Sequence, residues 1–300
     1  MKSNEQKKLK VLIDGSSGML GTDILPILRK HFEIYAPSRN EMDIVDETAV
    51  DRIFSSNKFD WVIHLAASTD LDWCEDNPDE ALRINAYGTK NMAEHCARYG
   101  VKMIYISTSG VFSGRHKKPY NENDIPEPAN VYGKSKYLGE QFVRQILPEQ
   151  NFLILRVGWL FGGGKNDKKF VGKMFNLIRE KPKVYAVRDI FGSPNYSVDI
   201  GRTIVELIDS GAYGTFHIAN SGEPASRYDV AKSIRDFADV ETEVVPVPAD
   251  KFPTKAFRPP MEAIESIKIE DVLGHRLRHW KDALQEYISR LKSGDIEYKI

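Results

Sequence analysis

The feature that most constrains the fold is a regular alternation of short apolar runs with amphipathic segments between residues 10 and 157. The apolar runs are KVLID, EIYA, WVIHLAA, KMIYIS and FLILRV. The amphipathic segments predict helices from about Gly18 to His31, from Glu47 to Asn57, from Pro78 to Tyr99 and around Tyr132. Strands that are apolar throughout are buried on both faces, and parallel strands need helical crossovers between them. The pattern therefore predicts an α/β domain with a doubly wound parallel sheet.

The chain after Val157 has a looser pattern, in which loops with Gly and Pro separate helical stretches near 170–180, 198–209, 227–238 and 280–292. We therefore expect residues 1–157 to form the first domain and residues 158–300 to form a smaller C-terminal lobe. The helix and the strand at about 198–218 are expected to return to the first sheet.

Global charge and cysteine content narrow the class of protein. The formal net charge of −1 gives no reason to expect a nucleic acid or an acidic membrane as a partner. Cys74 and Cys96 are too few for a disulfide framework. The N-terminal stretch is polar, and no window approaches the roughly 20 apolar residues of a membrane-spanning helix. These features predict a cytoplasmic protein.

A glycine-rich turn, GSSGMLG, directly follows the first predicted strand and precedes the first predicted helix. Gly15, Gly18 and Gly21 allow a tight turn and the close approach of a pyrophosphate, whose charge is favourable at a helix N-terminus. The spacing is G-x-x-G-x-x-G rather than the G-x-G-x-x-G of many dinucleotide binders. The position of the turn nevertheless predicts a Rossmann-like domain that binds a dinucleotide.

The end of the second predicted strand indicates which dinucleotide is bound. NAD-binding domains usually place an acid there, which holds the ribose 2′-hydroxyl group. In this chain the strand leads into Ser38 and Arg39, and Glu33 lies too early for that role. Because a guanidinium can pair with a 2′-phosphate, the sequence favours NADPH, with NADH possible.

Polar residues follow the later strands, where open α/β sheets bind their ligands. HLAAS (64–68) and STS (107–109) follow two of these strands, and Asn85 lies in the helix between them. In VYGKSKYLGE, Tyr132 and Lys136 are four positions apart, so they share one face of a helix. A cation beside a phenol would lower its pKa and allow proton exchange near neutral pH. The set of Asn, Ser/Thr, Tyr and Lys resembles that of the extended short-chain dehydrogenase/reductase superfamily.

Longer motifs indicate one family within this superfamily. They are ISTSGVFSG, PYNENDIPEPANVYGKSKYLGE, RVGWLFG, FGSPNYSVDIG, GTFHIANSGEPASRYDVAKSI and HWKDALQEYI. From Lys10 to about Ile288 the chain resembles the dTDP-4-dehydrorhamnose reductase family. The resemblance implies an NADPH-dependent oxidoreductase that reduces the 4-keto group of a nucleotide-linked 6-deoxyhexose, with a role in polysaccharide precursor synthesis and a possible homodimer.

The resemblance also implies roles for individual residues. Tyr132 would be the proton donor, Lys136 would orient the nicotinamide ribose and tune the tyrosine, and Thr108 would bond the substrate carbonyl. The implied cofactor-binding residues are Gly15, Gly18, Met19, Leu20, Gly21, Ser38, Arg39, Asp43, Ile44, Ala66, Ala67, Ser68, Asn85, Tyr132 and Lys136. The implied substrate-binding residues are Thr108, Ser109, Trp159 and Arg258.

Two departures from the family pattern lie on the substrate side. The family usually reads S-T-D-Y-V-F where this chain has STSGVF, so Ser109 and Gly110 replace an acid and an aromatic residue. The family commonly reads R-P-x-N-S where this chain has RPPME, from Arg258 to Glu262. These changes leave the cofactor prediction intact and leave the identity of the sugar open.

Two other functions stay open at this point. A sugar-nucleotide epimerase of the same fold fits the small residues of STSG. An NADP-binding regulatory subunit resembling the methionine adenosyltransferase beta subunit would keep the same motifs. A 4,6-dehydratase is disfavoured, because Ser109 cannot supply the acid that this reaction needs.

Two further motifs do not predict a site. GGGK at 162–165 lacks the glycine spacing of a phosphate loop, and Asn166 stands where Ser or Thr would bind magnesium. His275 and His279 have helical spacing, but no third ligand accompanies them. We therefore expect a flexible loop at the first position and no metal site at the second.

Overall fold

A computed structural model describes residues 8–295. The strands are β1 (Lys10–Asp14), β2 (Glu33–Tyr35), β3 (Trp61–His64), β4 (Lys102–Thr108), β5 (Phe152–Val157), β6 (Trp159–Phe161), β7 (Lys183–Val187), β8 (Phe191–Gly192), β9 (Pro194–Tyr196), β10 (Gly214–Ile218), β11 (Ala225–Ser226) and β12 (Glu243–Val247). The α-helices are α1 (Met19–His31), α2 (Glu47–Ser55), α3 (Leu71–Asp76), α4 (Pro78–Leu82), α5 (Gly88–Tyr99), α6 (Val131–Ile146), α7 (Phe170–Glu180), α8 (Ser197–Ser210), α9 (Arg227–Ala238), α10 (Ile267–Leu273) and α11 (Trp280–Ser293).

Six of these strands form the central sheet, in the order β2-β1-β3-β4-β5-β10. Every neighbouring pair in this sheet is parallel. The strand order reverses at β1, where one half of the sheet continues to β2 and the other to β3. This architecture confirms the doubly wound parallel sheet predicted from the apolar runs.

Helices cover both faces of the sheet, as the alternation of side chains along each strand requires. Along β4, Ile104 and Ile106 lie in a core that α1 and α8 cover. Met103 and Tyr105, which point to the opposite face, lie in a second core with α2, α5 and α6. The carboxyl ends of the strands are left accessible between these two layers, which is where such sheets bind ligands.

The region from Pro78 to Tyr99 is helical but is not one regular helix. A π-helical turn, Arg83–Tyr87, joins α4 to α5. The wider turn contains Asn85, which is fully buried. The short helix α3, which precedes this region, has no counterpart among the sequence-based predictions.

Helix α6 begins at a well-defined cap and lies close to β4. The Asn130 side chain accepts a hydrogen bond from the Gly133 N–H at 2.8 Å. A Cβ at Gly133 would lie only 2.1 Å from the Gly110 carbonyl oxygen, and one at Gly139 only 2.5 Å from the Tyr105 hydroxyl. Glycine at these two positions therefore lets the helix approach the strand end.

A third hydrophobic core lies among α7, α9 and α11, away from the central sheet. Phe161 and Tyr196 stack with ring centroids 5.2 Å apart, and Tyr287 packs against both. Small two-stranded sheets, β6 with β9, β7 with β12 and β8 with β11, surround this core. Between residues 8 and 295, no helix combines the length and the apolar character that crossing a bilayer requires.

Candidate active site

The glycine-rich turn between β1 and α1 has the shape of a phosphate cradle. Gly15 has a φ of +63°, and a Cβ there would lie 2.7 Å from the Ala66 nitrogen. A Cβ at Gly21 would lie 2.5 Å from the Ser16 carbonyl oxygen. Gly18 provides no side-chain cap for α1, and the first turn of this helix has no acidic residue. The first-turn N–H groups of a helix lack intrahelical partners, so the turn fits a pyrophosphate.

The two residues that follow Gly18 have different environments. The side chain of Leu20 is buried in the core with Ile24, so only its backbone can face a ligand at the turn. Met19 is partly exposed and lies against Gly163, where a Cβ would be 2.6 Å from its γ carbon. The predicted contact of Leu20 with the cofactor would therefore be made by its backbone.

The end of β2 presents a cation at the surface. The Arg39 side chain is 73% exposed, and its guanidinium lies 3.4 Å from an Asp43 carboxylate oxygen. Ser38 is less available, because its hydroxyl and its N–H both donate to Glu41. Ile44 is buried in the core. Arg39 is thus the group at this strand end that can turn towards a 2′-phosphate.

A buried network that sequence reasoning missed fixes the loop after β3. One oxygen of Asp14 accepts the Leu65 and Ala66 N–H groups at 2.8 and 2.7 Å. Its other oxygen lies 2.6 Å from His64 Nδ1, and His64 Nε2 lies 3.0 Å from the Thr89 hydroxyl. The sequence features that could have predicted this network are Asp14, at the end of KVLID, and His64, at the start of HLAAS. The network holds Ala66 beside Gly15, where the cofactor is expected to pass.

Asn85 connects the loop after β3 to α6. Its carbonyl oxygen accepts the Ser68 N–H at 2.7 Å, and its amide nitrogen donates to the Ser68 carbonyl and to the Ser135 hydroxyl at 2.9 and 3.0 Å. The Ser135 hydroxyl in turn donates to the Tyr132 carbonyl at 2.8 Å. Since both amide hydrogens have protein acceptors, Asn85 positions Ser68 and Tyr132 rather than presenting free donors to a ligand.

Tyr132 lies in the first turn of α6, beside Thr108 at the end of β4. Burial raises the pKa of Tyr132 to about 12, and its hydrogen bond with Thr108 works in the opposite direction. Thr108 also caps the following turn, because its hydroxyl accepts the Gly110 N–H at 3.0 Å. The phenol therefore keeps its proton at neutral pH. The lowered pKa expected from the sequence is wrong for this structure.

Lys136 does not contact the Tyr132 hydroxyl. Its Nζ lies 4.1 Å from the centre of the Tyr105 ring, and it has no hydrogen bond to any residue within 8–295. Burial lowers the pKa of Lys136 to about 7, although the nearby carboxylates of Glu140 and Asp14 raise it. The two residues share a helix face as predicted, yet the ammonium points towards the sheet.

A buried ion pair lies beneath this helix and was also missed. The carboxylate of Glu140 accepts hydrogen bonds from Arg156 at 2.9 and 2.7 Å and from the Ser107 hydroxyl at 2.6 Å. Burial and the Arg156 charge lower the pKa of His217, the next residue in this network, to about 3. The network ties α6 to β4, β5 and β10, and so it fixes the helix that carries Tyr132.

The substrate side of the site is built around Trp159. Its indole N–H donates to Glu262 at 2.8 Å. Arg258 donates to Asp72 at 3.0 Å. Burial raises the pKa of the Glu262 carboxyl, while its hydrogen bond with Trp159 works in the opposite direction.

Of the two departures from the family motifs, the first borders Tyr132 and the second contacts Trp159. A Cβ at Gly110 would lie 3.7 Å from Cδ1 of the Tyr132 ring, so an aromatic side chain in place of Gly110 would stand directly beside the phenol. Ser109 is buried at the same strand end. Glu262, at the second departure, bonds Trp159 instead of leaving the indole N–H to a ligand. The substrate side therefore differs from the family pattern beside the phenol and at the Trp159 indole.

The GGGK segment (162–165) packs against α1 and does not form a phosphate loop of its own. The N–H of Gly163 donates to Asp23. The amide of Asn166 donates to the Thr22 hydroxyl at 2.8 Å. These contacts place the segment over the start of α1, at the border of the cofactor cradle.

The two histidines with helical spacing have separate protein partners. His275 lies 3.1 Å from Glu206, and His279 accepts the Lys281 N–H at 3.1 Å as the cap of α11. In the described part of the chain, no three His, Cys, Asp or Glu side chains are grouped so that they could hold a metal ion.

Residues 9–293 match the family described as the RmlD substrate binding domain. Spore coat polysaccharide biosynthesis protein SpsK of Bacillus subtilis (strain 168) is 35% identical over 285 residues, which cover 95% of this chain and 98% of that protein. The dTDP-4-keto-6-deoxy-D-glucose reductase of Streptomyces niveus is 31% identical over 286 residues, with coverages of 95% and 98%.

Solved structures of similar proteins also include dTDP-4-dehydrorhamnose reductases. A dTDP-4-dehydrorhamnose reductase from Clostridium acetobutylicum ATCC 824 has a TM-score of 0.90 at 36% identity, over 95% of this chain and 100% of that chain. The dTDP-4-dehydrorhamnose reductase of Bacillus anthracis str. Ames in complex with NADP has a TM-score of 0.89 at 33% identity, over 94% and 99% of the two chains.

Proposed function

The chain belongs to the RmlD substrate binding domain family of the extended short-chain dehydrogenase/reductase superfamily, and we propose that it reduces the 4-keto group of a nucleotide-activated 6-deoxyhexose with NADPH. The observation that carries the proposal is the pairing of Tyr132 with Thr108 at the end of β4. A protonated phenol beside a hydroxyl at a strand end is suited to protonate an alkoxide.

The residues of the glycine-rich turn fit NADPH. The proposed cofactor domain comprises residues 1–157 together with α8 and β10, and residues 158–300 supply most of the substrate lobe. Gly15, Gly18 and Gly21 leave the space that the pyrophosphate needs, and Arg39 is the exposed cation for the 2′-phosphate. When bound, NADPH supplies the hydride. The related reductase from Bacillus anthracis was solved with NADP, which supports this cofactor.

In the proposed reaction, Tyr132 transfers its proton to the oxygen of the ketone as that oxygen becomes an alkoxide. Thr108 donates a hydrogen bond to the same oxygen and stabilises its developing charge. Lys136 binds the nicotinamide ribose and stabilises the phenolate that Tyr132 becomes. The ammonium reaches that position by turning away from the Tyr105 ring, which it faces in this structure.

Gly110, beside the phenol, and Glu262, bonded to the Trp159 indole, select the sugar in this proposal, because both positions differ from the family pattern. We place the reaction in the cytoplasm, and a homodimer stays a prediction.

The decisive experiment is a panel of dTDP-, UDP- and GDP-linked 4-keto-6-deoxy sugars, each assayed for oxidation of NADPH and of NADH. We expect NADPH to be consumed with at least one dTDP-linked sugar, and Tyr132→Phe serves as the inactive control. An altered sugar configuration without net consumption of NADPH would indicate the epimerase. Tight NADPH binding without turnover of any sugar would indicate the regulatory subunit.

A further inference from the structure

The short acidic helix α3 touches the helix that carries the proposed proton donor. It packs against α6, and the carboxylate of Glu75 accepts a hydrogen bond from the Val131 N–H at 2.8 Å. Val131 is the first residue of α6 and directly precedes Tyr132. The proposed proton transfer does not use Glu75. Its hydrogen bond nevertheless joins α3 to the backbone beside the phenol.

The Val131 N–H needs an acceptor from outside α6, because the first N–H groups of a helix have no partner within it. The Asn130 side chain accepts the Gly133 N–H at 2.8 Å and so leaves the Val131 N–H to Glu75. A carboxylate is a strong acceptor at this position, since the bond is charge-assisted and negative charge is favourable at a helix N-terminus. Glu75 therefore fixes the point at which α6 begins.

The first turn of α6 is also held on the side of the sheet. A Cβ at Gly133 would lie 2.1 Å from the Gly110 carbonyl oxygen and 3.0 Å from the Pro128 side chain. A Cβ at Gly110 would lie 3.7 Å from the Tyr132 ring. The turn is thus confined between the end of β4 and α3. A displacement of the helix start would change the position of the phenol relative to Thr108.

The C-terminal lobe holds α3 in place. Asp72 accepts hydrogen bonds from the Ala256 N–H and from the Arg258 guanidinium, both at 3.0 Å. Asp76 accepts the Lys255 ammonium at 2.7 Å. Two of the three carboxylates of this helix are therefore tied to one short segment of the other lobe. The helix is a fixed support for its third carboxylate, which bonds the start of α6.

We propose that Glu75 is a positioning residue for Tyr132, because it fixes the start of α6 and thereby the distance from the phenol to the ketone oxygen of the substrate. The inference rests on the proposed function, which assigns the proton transfer to Tyr132. Misplacement of a reacting group by about 1 Å can lower a rate by about a hundredfold. Glu75 acts through the Val131 backbone rather than through contact with the substrate.

Two substitutions separate the hydrogen bond of Glu75 from its charge. Glu75→Gln removes the charge and keeps a side-chain oxygen that can accept the Val131 N–H. Glu75→Leu removes the acceptor. Asp60→Leu is the matched control, since the Asp60 carboxylate also accepts a backbone N–H from a distant segment, that of Lys10 at 2.7 Å. This contact lies at the amino ends of β1 and β3, opposite the candidate site.

The first measurement is the ¹³C NMR spectrum of protein labelled at the Cζ atom of tyrosine, because the chemical shift of this carbon reports the hydrogen bonding of the phenol. Tyr132→Phe identifies the Tyr132 resonance. We expect Glu75→Leu to displace this resonance, and Glu75→Gln and Asp60→Leu to leave it in place. If Glu75→Leu does not fold, as judged by loss of NADP⁺ binding, Glu75→Ala replaces it in the same comparison.

A role of Glu75 in stability alone would lower the melting temperature of Glu75→Leu and leave the Tyr132 resonance unchanged. That result would overturn the proposal. So would an equal displacement of the resonance in Glu75→Gln, which keeps the acceptor.

The second measurement is steady-state kinetics with a sugar that the protein reduces. We expect Glu75→Leu to lower kcat by about tenfold to a hundredfold, with KM and NADPH affinity close to those of the unchanged protein. Glu75→Gln should retain most of the activity. A change confined to KM would contradict a role in placing the proton donor.

The two proposals fail separately. If no 4-keto sugar is reduced but Glu75→Leu displaces the Tyr132 resonance, the proposed reaction is wrong and the positioning of the phenol by Glu75 stands. If a sugar is reduced while Glu75→Leu has the native kcat and the native resonance, the positioning role is wrong and the reaction stands.

Discussion

The ammonium of Lys136 lies over the Tyr105 ring, 4.1 Å from its centre, and not against the phenol one helical turn away. The side chain is only 3% exposed, so this is a buried cation. The aromatic face and the nearby Glu140 carboxylate stabilise it, but burial still lowers the pKa of Lys136 to about 7. The protein without cofactor therefore contains a lysine whose charge is unfavourable for folding.

Lys136→Met should stabilise the protein in the absence of cofactor, and more so at low pH. Below about pH 7 the lysine is charged in both the folded and the unfolded chain, so the full cost of burying the charge is present. Between about pH 7 and 10.5 the folded chain loses the proton while the unfolded chain keeps it, so the cost declines as pH rises. Each pKa unit corresponds to about 1.4 kcal/mol. Melting temperatures of the two proteins at pH 6 and pH 9 measure the difference.

We expect the melting temperature of Lys136→Met to exceed that of the unchanged protein by more at pH 6 than at pH 9. NADPH binding should weaken in the same variant if the lysine holds the ribose. A lower melting temperature at both pH values would show that the ammonium is structurally required.

The fold could be predicted from the sequence because its cause is local. Apolar runs as short as FLILRV favour strands buried on both faces, and the helices between them have clear amphipathic patterns. The sequence did not predict the π-helical turn at Arg83–Tyr87. Such a turn replaces i→i+4 hydrogen bonds by i→i+5 bonds and leaves the apolar pattern of the helix nearly unchanged. Helix α3 was missed because six residues are too few to show a period.

The site could be predicted in part. The residue types and their order point to Tyr132 and Thr108, which the structure brings together. The partners of buried polar groups could not be predicted, because residues such as Asp14 and Thr89 are far apart in sequence and meet only in the folded sheet. The orientation of Lys136 was also out of reach, since helical spacing defines a face and not the direction in which a long side chain points.

Arg39→Ala should weaken NADPH binding by about tenfold and leave NADH binding nearly unchanged. A charge-assisted hydrogen bond to the 2′-phosphate would be lost. The expected loss of affinity is at the lower end of the range for such bonds, because the side chain is 73% exposed and solvent screens its charge. Dissociation constants from fluorescence titration measure the change. Arg29→Ala, an exposed arginine at the end of α1, is the control. Equal losses for both cofactors would show that Arg39 does not read the phosphate.

Glu140→Gln should destabilise the protein by about 3–5 kcal/mol, because it leaves the Arg156 charge buried without its counter-ion. Replacing both partners, as Glu140→Gln with Arg156→Met, should cost clearly less than the sum of the single changes. Denaturant unfolding of the three variants measures the coupling. Additive losses would mean that the pair does not act as a unit.

Tyr132→Phe tests the proton donor directly. The substitution keeps the ring and its packing on α6, and removes only the hydroxyl that bonds Thr108. We expect kcat for the reduced sugar to fall by about 10²–10⁴-fold, with NADPH affinity and melting temperature close to those of the unchanged protein. Thr108→Val, which removes the partner hydroxyl and also the cap on Gly110, should lower kcat with a measurable loss of stability. If Tyr132→Phe reduces a confirmed substrate at the native rate, the phenol is not the acid. The Glu262 carboxyl, whose pKa burial raises, would then be the next acid to test, by Glu262→Gln in the same assay.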